Sequence, residues 1–305
     1  MSYKIEDKLV IAVSSSALFD LSESDKVFRK QGAEAYKTFQ KENMDKVLDI
    51  GVAYPFIRRF LSFNKSFPEE QPVEVVLLSR NSTATGQRVF RSIEHYGLDI
   101  SRAAFLTGES PFSYIPAFNA SLLLTANEED VIKAVEASYP AGLVLPSVVV
   151  DEPDDNELRV AFDFDGVLAD DEAEKIFKSE GLESFKQHET KHQEREHNPG
   201  LLADLFRKLA LLQQLENTKL QQDPTYKPIL RTAIITARNA PAHDRVINTL
   251  NSWGVEADQT FFLGGMDKRR ILNIFRPHIF FDDQISHLSA KDLAMVHIPF
   301  GVANQ

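Results

Sequence analysis

The chain has 305 residues, and its 34 Lys and Arg against 45 Asp and Glu give a formal net charge of −11. This balance argues against nucleic-acid binding, which depends on lysines and arginines that neutralise phosphates. A small anionic substrate stays compatible with it, because a few local cations or a metal ion can hold one. The chain has no cysteine, which excludes disulfides, thiolate nucleophiles and iron–sulfur clusters.

The first half of the chain alternates predicted strands and helices. Residues 1–8 are charged where a signal peptide is apolar, and no apolar run approaches the ~18 residues of a membrane span. We therefore expect a cytoplasmic protein that contacts no membrane. Short apolar runs predict strands at Leu9–Val13, Val73–Leu78, Ala103–Leu106 and Ser121–Leu124.

The second half repeats this alternation after residues 151–157, a polar stretch with a proline that has the character of a linker. Predicted strands at Leu158–Phe162, Arg231–Ile235, Thr260–Leu263 and His278–Phe281 alternate with helical patterns. Strands separated by helices predict a parallel sheet with right-handed crossovers. We therefore predict two α/β domains, 1–150 and 151–305. The 73 positions between Asp163 and Thr236 (236 − 163) are too many for one crossover helix, so residues 171–228 are predicted to form a helical cap.

The two halves also resemble each other in sequence. Leu9–Val13 aligns with Leu158–Phe162 at an offset of 149 residues (158 − 9), and Gly32 aligns with Gly181 at the same offset. Later matches keep their order at offsets of 157 to 158, such as Arg80 with Arg238. The fold class that follows is two Rossmann-like halves related by an internal duplication. Chance similarity between strand–helix segments is the alternative.

Polar residues follow each predicted strand of the second half, where a parallel sheet gathers its ligands. They are Asp163, Asp165 and Gly166 after the first strand, Thr236, Ala237 and Arg238 after the second, Lys268 after the third, and Asp282 and Asp283 after the fourth.

These residue types suit the cleavage of a phosphate monoester. Asp163 can attack phosphorus as a nucleophile, and Asp165 can act as general acid and base. Mg²⁺ prefers oxygen ligands, which Asp163, the carbonyl of Asp165 and one or both of Asp282 and Asp283 would supply. Thr236 and Lys268 can stabilise the phosphoryl oxygens. Gly166, Ala237 and Arg238 complete the predicted phosphate pocket.

The four segments, in this order, resemble the haloacid dehalogenase superfamily, whose motifs are an Asp-x-Asp, a Ser or Thr, a Lys or Arg, and an acidic pair. Further stretches resemble the cytosolic 5′-nucleotidase type I family, among them Arg231–Arg238, Leu250–Gly254 and Arg276–Gln284. The similarity extends over nearly the whole chain. The resemblance implies Mg²⁺-dependent hydrolysis of a nucleoside 5′-monophosphate, with AMP or a related nucleotide preferred. One departure is Phe164, where animal members have glycine, and this side chain can alter the fit around the phosphate.

The first half lacks every catalytic group. Ser14 and Ser16 stand where Asp163 and Asp165 would align. This half is therefore either a scaffold for the catalytic domain or a nucleotide site with a regulatory role, for which the candidates are Ser14, Ser16, Arg80, Asn81, Thr107 and Gly108.

Other interpretations stay open at this point. Another phosphatase of the superfamily, acting on a different small phosphomonoester, would share the same chemistry, and a nucleotide-sensing module without turnover would share the same fold. His188 and His192 on the predicted cap either ligate a metal or lie on a solvated helix face. The partner that we expect is a small-molecule nucleotide, and the chain can also form a homo-oligomer.

Overall fold

The computed structural model describes residues 4–304. The chain divides into two compact units, one ending at Glu152 and the other beginning at Pro153. Each unit is an α/β structure with a parallel sheet.

The described residues of the first unit form five strands and five α-helices. Its strands are β1 (Leu9–Val13), β2 (Val73–Ser79), β3 (Arg102–Phe105), β4 (Ala120–Thr125) and β5 (Ala141–Val144), and its helices are α1 (Ser15–Leu18), α2 (Ser22–Glu42), α3 (Tyr54–Ser66), α4 (Thr83–His95) and α5 (Glu128–Glu136). The strands lie in the order β3-β2-β1-β4-β5 and pair in parallel. Every residue of β1, β2 and β4 is buried, so these apolar runs form the centre of the unit.

The second unit has five strands and four α-helices within its described residues. Its strands are β6 (Leu158–Phe162), β7 (Leu230–Thr236), β8 (Gln259–Phe262), β9 (Ile279–Asp282) and β10 (Met295–His297), and its helices are α6 (Glu172–Lys191), α7 (Ala203–Gln222), α8 (His243–Ser252) and α9 (Arg269–Phe275). The strands lie in the order β8-β7-β6-β9-β10 and also pair in parallel. The ends of β6, β7 and β9 therefore lie side by side at one edge.

All eight predicted strands are confirmed, each with ends within one residue of the prediction. The prediction missed β5 and β10. These strands have four and three residues.

The predicted cap, residues 171–228, divides into two parts with different surroundings. Helix α7 packs on the sheet, since the Phe206 ring lies edge-on to Phe162 of β6 with centroids 5.5 Å apart. Gln213 of α7 also donates to the Thr232 hydroxyl of β7 at 3.1 Å. Helix α7 is therefore a layer on the sheet, and only the part with α6 and the following loop is left to form a cap. A helix pair, α2 and α3, also follows the first strand of the first unit.

No described helix combines the length and the apolar character that crossing a bilayer requires.

Candidate active site

Asp163 lies immediately after β6, at the edge where the parallel strands end. Its backbone N–H donates to the Phe281 carbonyl at 2.8 Å, which joins the end of β6 to β9. One carboxylate oxygen accepts from the Phe164 N–H at 2.7 Å, and the other lies 2.7 Å from the Lys268 ammonium. Burial raises the pKa of Asp163 to about 7, while the charge of Lys268 opposes the rise. The carboxyl group is therefore buried and held in one orientation, and it changes its protonation state near neutral pH.

Lys268 joins two of the predicted acids. Its ammonium nitrogen lies 2.7 Å from Oδ2 of Asp163 and 2.7 Å from Oδ2 of Asp282. Burial favours the neutral amine, but the charges of Asp163 and Asp282 raise the pKa of Lys268 above its ordinary value. The lysine thus remains a buried cation, as the stabilisation of a phosphoryl group requires.

Asp282 has a further partner that the sequence prediction missed. His287, on the 3₁₀ turn after β9, places Nδ1 3.1 Å from each carboxylate oxygen of Asp282. Burial opposes ionisation, but the charges and hydrogen bonds of Lys268 and His287 hold the pKa of Asp282 below its usual value. The spacing of five residues from Asp282 is the one signal in the sequence for this contact.

Asp165 does not face Lys268. Its two oxygens accept hydrogen bonds from Nε and Nη2 of Arg238, both at 2.7 Å. Burial alone would raise the pKa of Asp165, but the Arg238 charge lowers it below the usual value. The prediction places Arg238 at the substrate phosphate, whereas the structure pairs its guanidinium with the predicted general acid and base.

A buried network that the prediction missed continues from Arg238. Nη1 of Arg238 donates to Glu189 of α6, and Nη1 of Arg245 donates to the other Glu189 oxygen at 2.8 Å. His197 places Nε2 3.4 Å from Glu189. Burial would raise the pKa of Glu189, but the His197 hydrogen bond and the Arg238 charge hold it well below its ordinary range. Residues 186–197 are mostly charged or polar, and their sequence does not indicate which of them is buried.

Phe164, which lies between Asp163 and Asp165, is fully buried. Its ring lies edge-on to the His197 ring, with the two centroids 5.5 Å apart. The guanidinium carbon of Arg238 lies 5.6 Å from the centroid of the Phe164 ring. The structure therefore places this side chain against the buried network behind Asp165. The ring thus contacts the arginine that pairs with Asp165.

Thr236 and Ala237 occupy the end of β7. The Thr236 side chain is buried, and its hydroxyl accepts from the Arg238 N–H at 3.2 Å. The carbonyls of Thr236 and Ala237 accept from the backbone of Leu263 at 2.9 Å and of Gly265 at 3.1 Å. These bonds fasten the end of β7 to the loop that carries Lys268.

Gly166 and Asp283 form the tightest approach in the site. Gly166 has φ +71°, and a Cβ there would lie 2.4 Å from Oδ2 of Asp283. Asp283 is 1% exposed, and neither of its carboxylate oxygens has a hydrogen-bond partner among the described residues. Burial raises the pKa of Asp283 to about 9, and the charges of Asp163 and Asp282 add to the rise. A buried carboxyl without a donor is a group that a bound cation would satisfy.

The predicted metal-binding residues therefore differ in what surrounds them. Asp163, Asp282 and His287 have ligand atoms within 4.8 Å of one another, but Asp163 and Asp282 already share the Lys268 ammonium as a partner. Asp283 has no such partner. Neither His188 nor His192 belongs to a metal-capable cluster in the described part of the chain, and Nδ1 of His192 lies 2.9 Å from the His188 carbonyl.

The regulatory candidates of the first unit contact one another and nearby acids. The Ser14 and Ser16 hydroxyls lie 3.0 Å apart, and Asn81 donates to Ser15 at 3.4 Å. Arg80 pairs with Asp130 at 2.6 Å and with Glu129 at 3.0 Å. Thr107 is exposed, with φ +50°. The Arg80 charge is thus balanced within the protein, and an anionic ligand would have to displace these carboxylates.

Comparison with known proteins shows a family match and a similar human protein. The family model described as 5′-nucleotidase matches residues 1–305. Cytosolic 5′-nucleotidase 1B of Homo sapiens is 34% identical over 291 residues, which cover 93% of this chain and 47% of the relative. The chain thus spans about half the length of that relative. No solved structure gives a significant match.

Proposed function

We propose that the chain, which belongs to the 5′-nucleotidase family, hydrolyses nucleoside 5′-monophosphates of the AMP type. The products are a nucleoside and phosphate, and the reaction requires Mg²⁺. The observation that carries this proposal is the buried Asp163 carboxylate, which is aimed by the Phe164 N–H and held 2.7 Å from the Lys268 ammonium. A carboxylate beside a buried cation, at the end of a strand, suits attack on a phosphate that the same cation binds.

The first half-reaction uses Asp163 as the nucleophile. One oxygen of its carboxylate forms a bond to phosphorus while the bond between phosphorus and the 5′ oxygen breaks. Asp165 gives its proton to that departing oxygen, so the products are the nucleoside and an aspartyl-phosphate. Thr236 lies at the neighbouring strand end, where its hydroxyl is in place to donate to a phosphoryl oxygen.

The second half-reaction regenerates the carboxylate. A water oxygen bonds to phosphorus, Asp165 takes the proton of that water, and the bond from phosphorus to the Asp163 oxygen breaks. Arg238 favours the ionised form of Asp165, which is the form that accepts this proton. In the first half-reaction Asp165 must instead carry a proton, so its two bonds to Arg238 have to loosen as the leaving oxygen approaches.

The residues present fit a magnesium ion. Asp283 supplies a buried carboxylate without a hydrogen-bond donor, and Asp163 supplies the neighbouring oxygen. Bound there, Mg²⁺ would offset the negative charges of these acids and of the substrate phosphate. Asp165 would contribute through its backbone carbonyl, because its side chain is committed to Arg238.

The two units are proposed to derive from a duplication, with a degenerate first domain and a catalytic second one. Their strand orders correspond, β3-β2-β1-β4-β5 and β8-β7-β6-β9-β10. Both first long helices contain a kink at a glycine, Gly32 with φ 83° and ψ −175° and Gly181 with φ 85° and ψ −178°. The same backbone irregularity at the offset of 149 residues is difficult to attribute to chance. The part of the insert with α6 is proposed as the cap over the site.

The name of the human relative supports a cytosolic location, which we propose for this chain as well. The proposed partner is a small-molecule nucleotide.

The deciding experiment measures phosphate release from a panel of nucleoside monophosphates and sugar phosphates, with Mg²⁺ and with EDTA. We expect release from AMP-like substrates that EDTA abolishes. A preference for sugar phosphates would indicate another phosphatase of the superfamily. Nucleotide binding without turnover on any compound would indicate a sensing module.

A further inference from the structure

The site of the second unit contains more carboxylates than cations. Lys268 pairs with Asp163 and Asp282, and Arg238 pairs with Asp165. Asp283 has neither a hydrogen-bond donor nor an ion pair among the described residues. Asp283 is therefore the carboxyl group of this site that an added cation would pair.

A second acid lies beside Asp283 and has no assigned role. Glu174, in the first turn of α6, has a buried Oε2 without a hydrogen-bond partner in the described part of the chain. Its other oxygen has only weak contacts, with Gln284 Nε2 at 3.5 Å and with the half-exposed Lys178 at 4.0 Å. The charge of Glu174 adds to the rise in the pKa of Asp283, and Gln284, which contacts Glu174, is the residue that follows Asp283. Two neighbouring carboxyl groups therefore have no cation within hydrogen-bond distance among the described residues.

We propose that Glu174 is part of the cation site, and that it contributes a carboxylate from the helical insert opposite Asp283. This inference rests on the proposed metal dependence. A divalent cation between the two acids would neutralise both, and Mg²⁺ prefers such oxygens, either directly or through a bound water.

The neighbouring acids of the insert do not compete for this role. Glu172, two residues earlier, already pairs with Arg245 at 2.8 Å. Asp171 accepts from the Val302 N–H at 2.9 Å and pairs with Lys175 at 2.8 Å. Cation binding through Glu174 would join the first turn of α6 to the end of β9, so occupancy of the metal site would stabilise the position of the insert.

The test uses the full chain with Glu174→Gln, and measures Mg²⁺ affinity by calorimetry and the melting temperature with and without Mg²⁺. We expect a roughly 10- to 100-fold loss of Mg²⁺ affinity, the usual effect of removing a group that supports a metal site. The melting temperature without metal should stay equal or rise, because a poorly compensated buried charge is removed. Glu180→Gln, an exposed position on the same helix, should change neither quantity.

The outcomes separate this inference from the proposed function. If Asp283→Asn abolishes Mg²⁺ binding and Glu174→Gln leaves it unchanged, the metal site stands and the role of Glu174 is refuted. A fall of several degrees in the metal-free melting temperature of Glu174→Gln would show a structural role and overturn the inference. If the unaltered protein binds no Mg²⁺, both this inference and the proposed metal dependence fail.

Discussion

Arg238 donates hydrogen bonds to both carboxylate oxygens of Asp165, from Nε and Nη2 at 2.7 Å each. A bidentate pair fixes the plane of the carboxylate as well as its position. Glu189 of α6 holds the same guanidinium from its other nitrogen. The orientation of the proposed general acid and base therefore depends on a residue of the helical insert.

Replacing Arg238 by lysine should lower kcat more than it raises KM. Lysine keeps the charge but cannot form the two parallel bonds that orient Asp165. Steady-state kinetics on AMP will measure both constants, with Arg269→Lys at an exposed position as the control. An increase confined to KM would instead place Arg238 on the substrate phosphate, as the sequence alone suggests.

Asp163→Asn should abolish phosphate release while the melting temperature changes by only a few degrees. Asparagine preserves the shape of the buried side chain, and Lys268 keeps Asp282 as its partner, but the nucleophilic oxygen is lost. Phosphate assays and thermal denaturation will show this, with Asp267→Asn, a surface residue paired with Arg269, as the control. Turnover near the unaltered level would refute the mechanism.

Glu189→Gln should destabilise the second unit by about 3–5 kcal/mol, the usual cost of removing one partner from a buried ion pair. Arg238 and Arg245 would each lose a charged acceptor in an environment without water. Chemical denaturation will measure the free energy of unfolding. The exposed Glu194→Gln, five residues further on, should stay within about 0.5 kcal/mol. Equal stability of the two variants would show that the network is dispensable.

The metal-free protein should lose stability as the pH rises from about 6 to 9. Burial raises the pKa of Asp163 to about 7 and that of Asp283 to about 9, against about 4 in an unfolded chain. Between these values the folded state holds protons that the unfolded state has released, so increasing pH lowers the free energy of unfolding.

Mg²⁺ should reduce this pH dependence, because it binds the ionised carboxylates. Melting temperatures at four pH values, with EDTA and with Mg²⁺, will show both effects. A metal-free melting temperature that rises over this range would contradict the assigned environment of the two acids.

Gly166→Ala should weaken Mg²⁺ binding and lower stability by more than Gly254→Ala. Both glycines have positive φ, +71° and +66°, so both variants carry the same backbone strain. Only at Gly166 would the new Cβ meet Asp283, at 2.4 Å, whereas Gly254 has no heavy atom within 4 Å. Calorimetry and thermal denaturation of the two variants separate the clash from the strain. Equal losses would mean that the loop can move away from Asp283.

The sequence by itself determined the strands and the acids that end them. A buried strand requires a continuous apolar run, and the runs at Leu9–Val13 and Leu158–Phe162 have the same bounds in the structure. Because parallel strands end at one edge, the sequence was enough to predict that Asp163, Lys268 and Asp282 lie near one another. The three-residue strand Met295–His297 left no such pattern.

The tertiary structure alone decided how the charges are paired. Arg238 follows the motif threonine, yet it turns to Asp165 and Glu189, which lie 73 and 49 residues away in sequence. Residues 186–197 contain many exposed charges, and only packing against α8 and the loop after β7 buries Glu189 among them. The unbalanced acids Glu174 and Asp283 are likewise a result of packing. A charge pattern in sequence shows composition, whereas the cost of burying a charge depends on which opposite charges the fold places next to it.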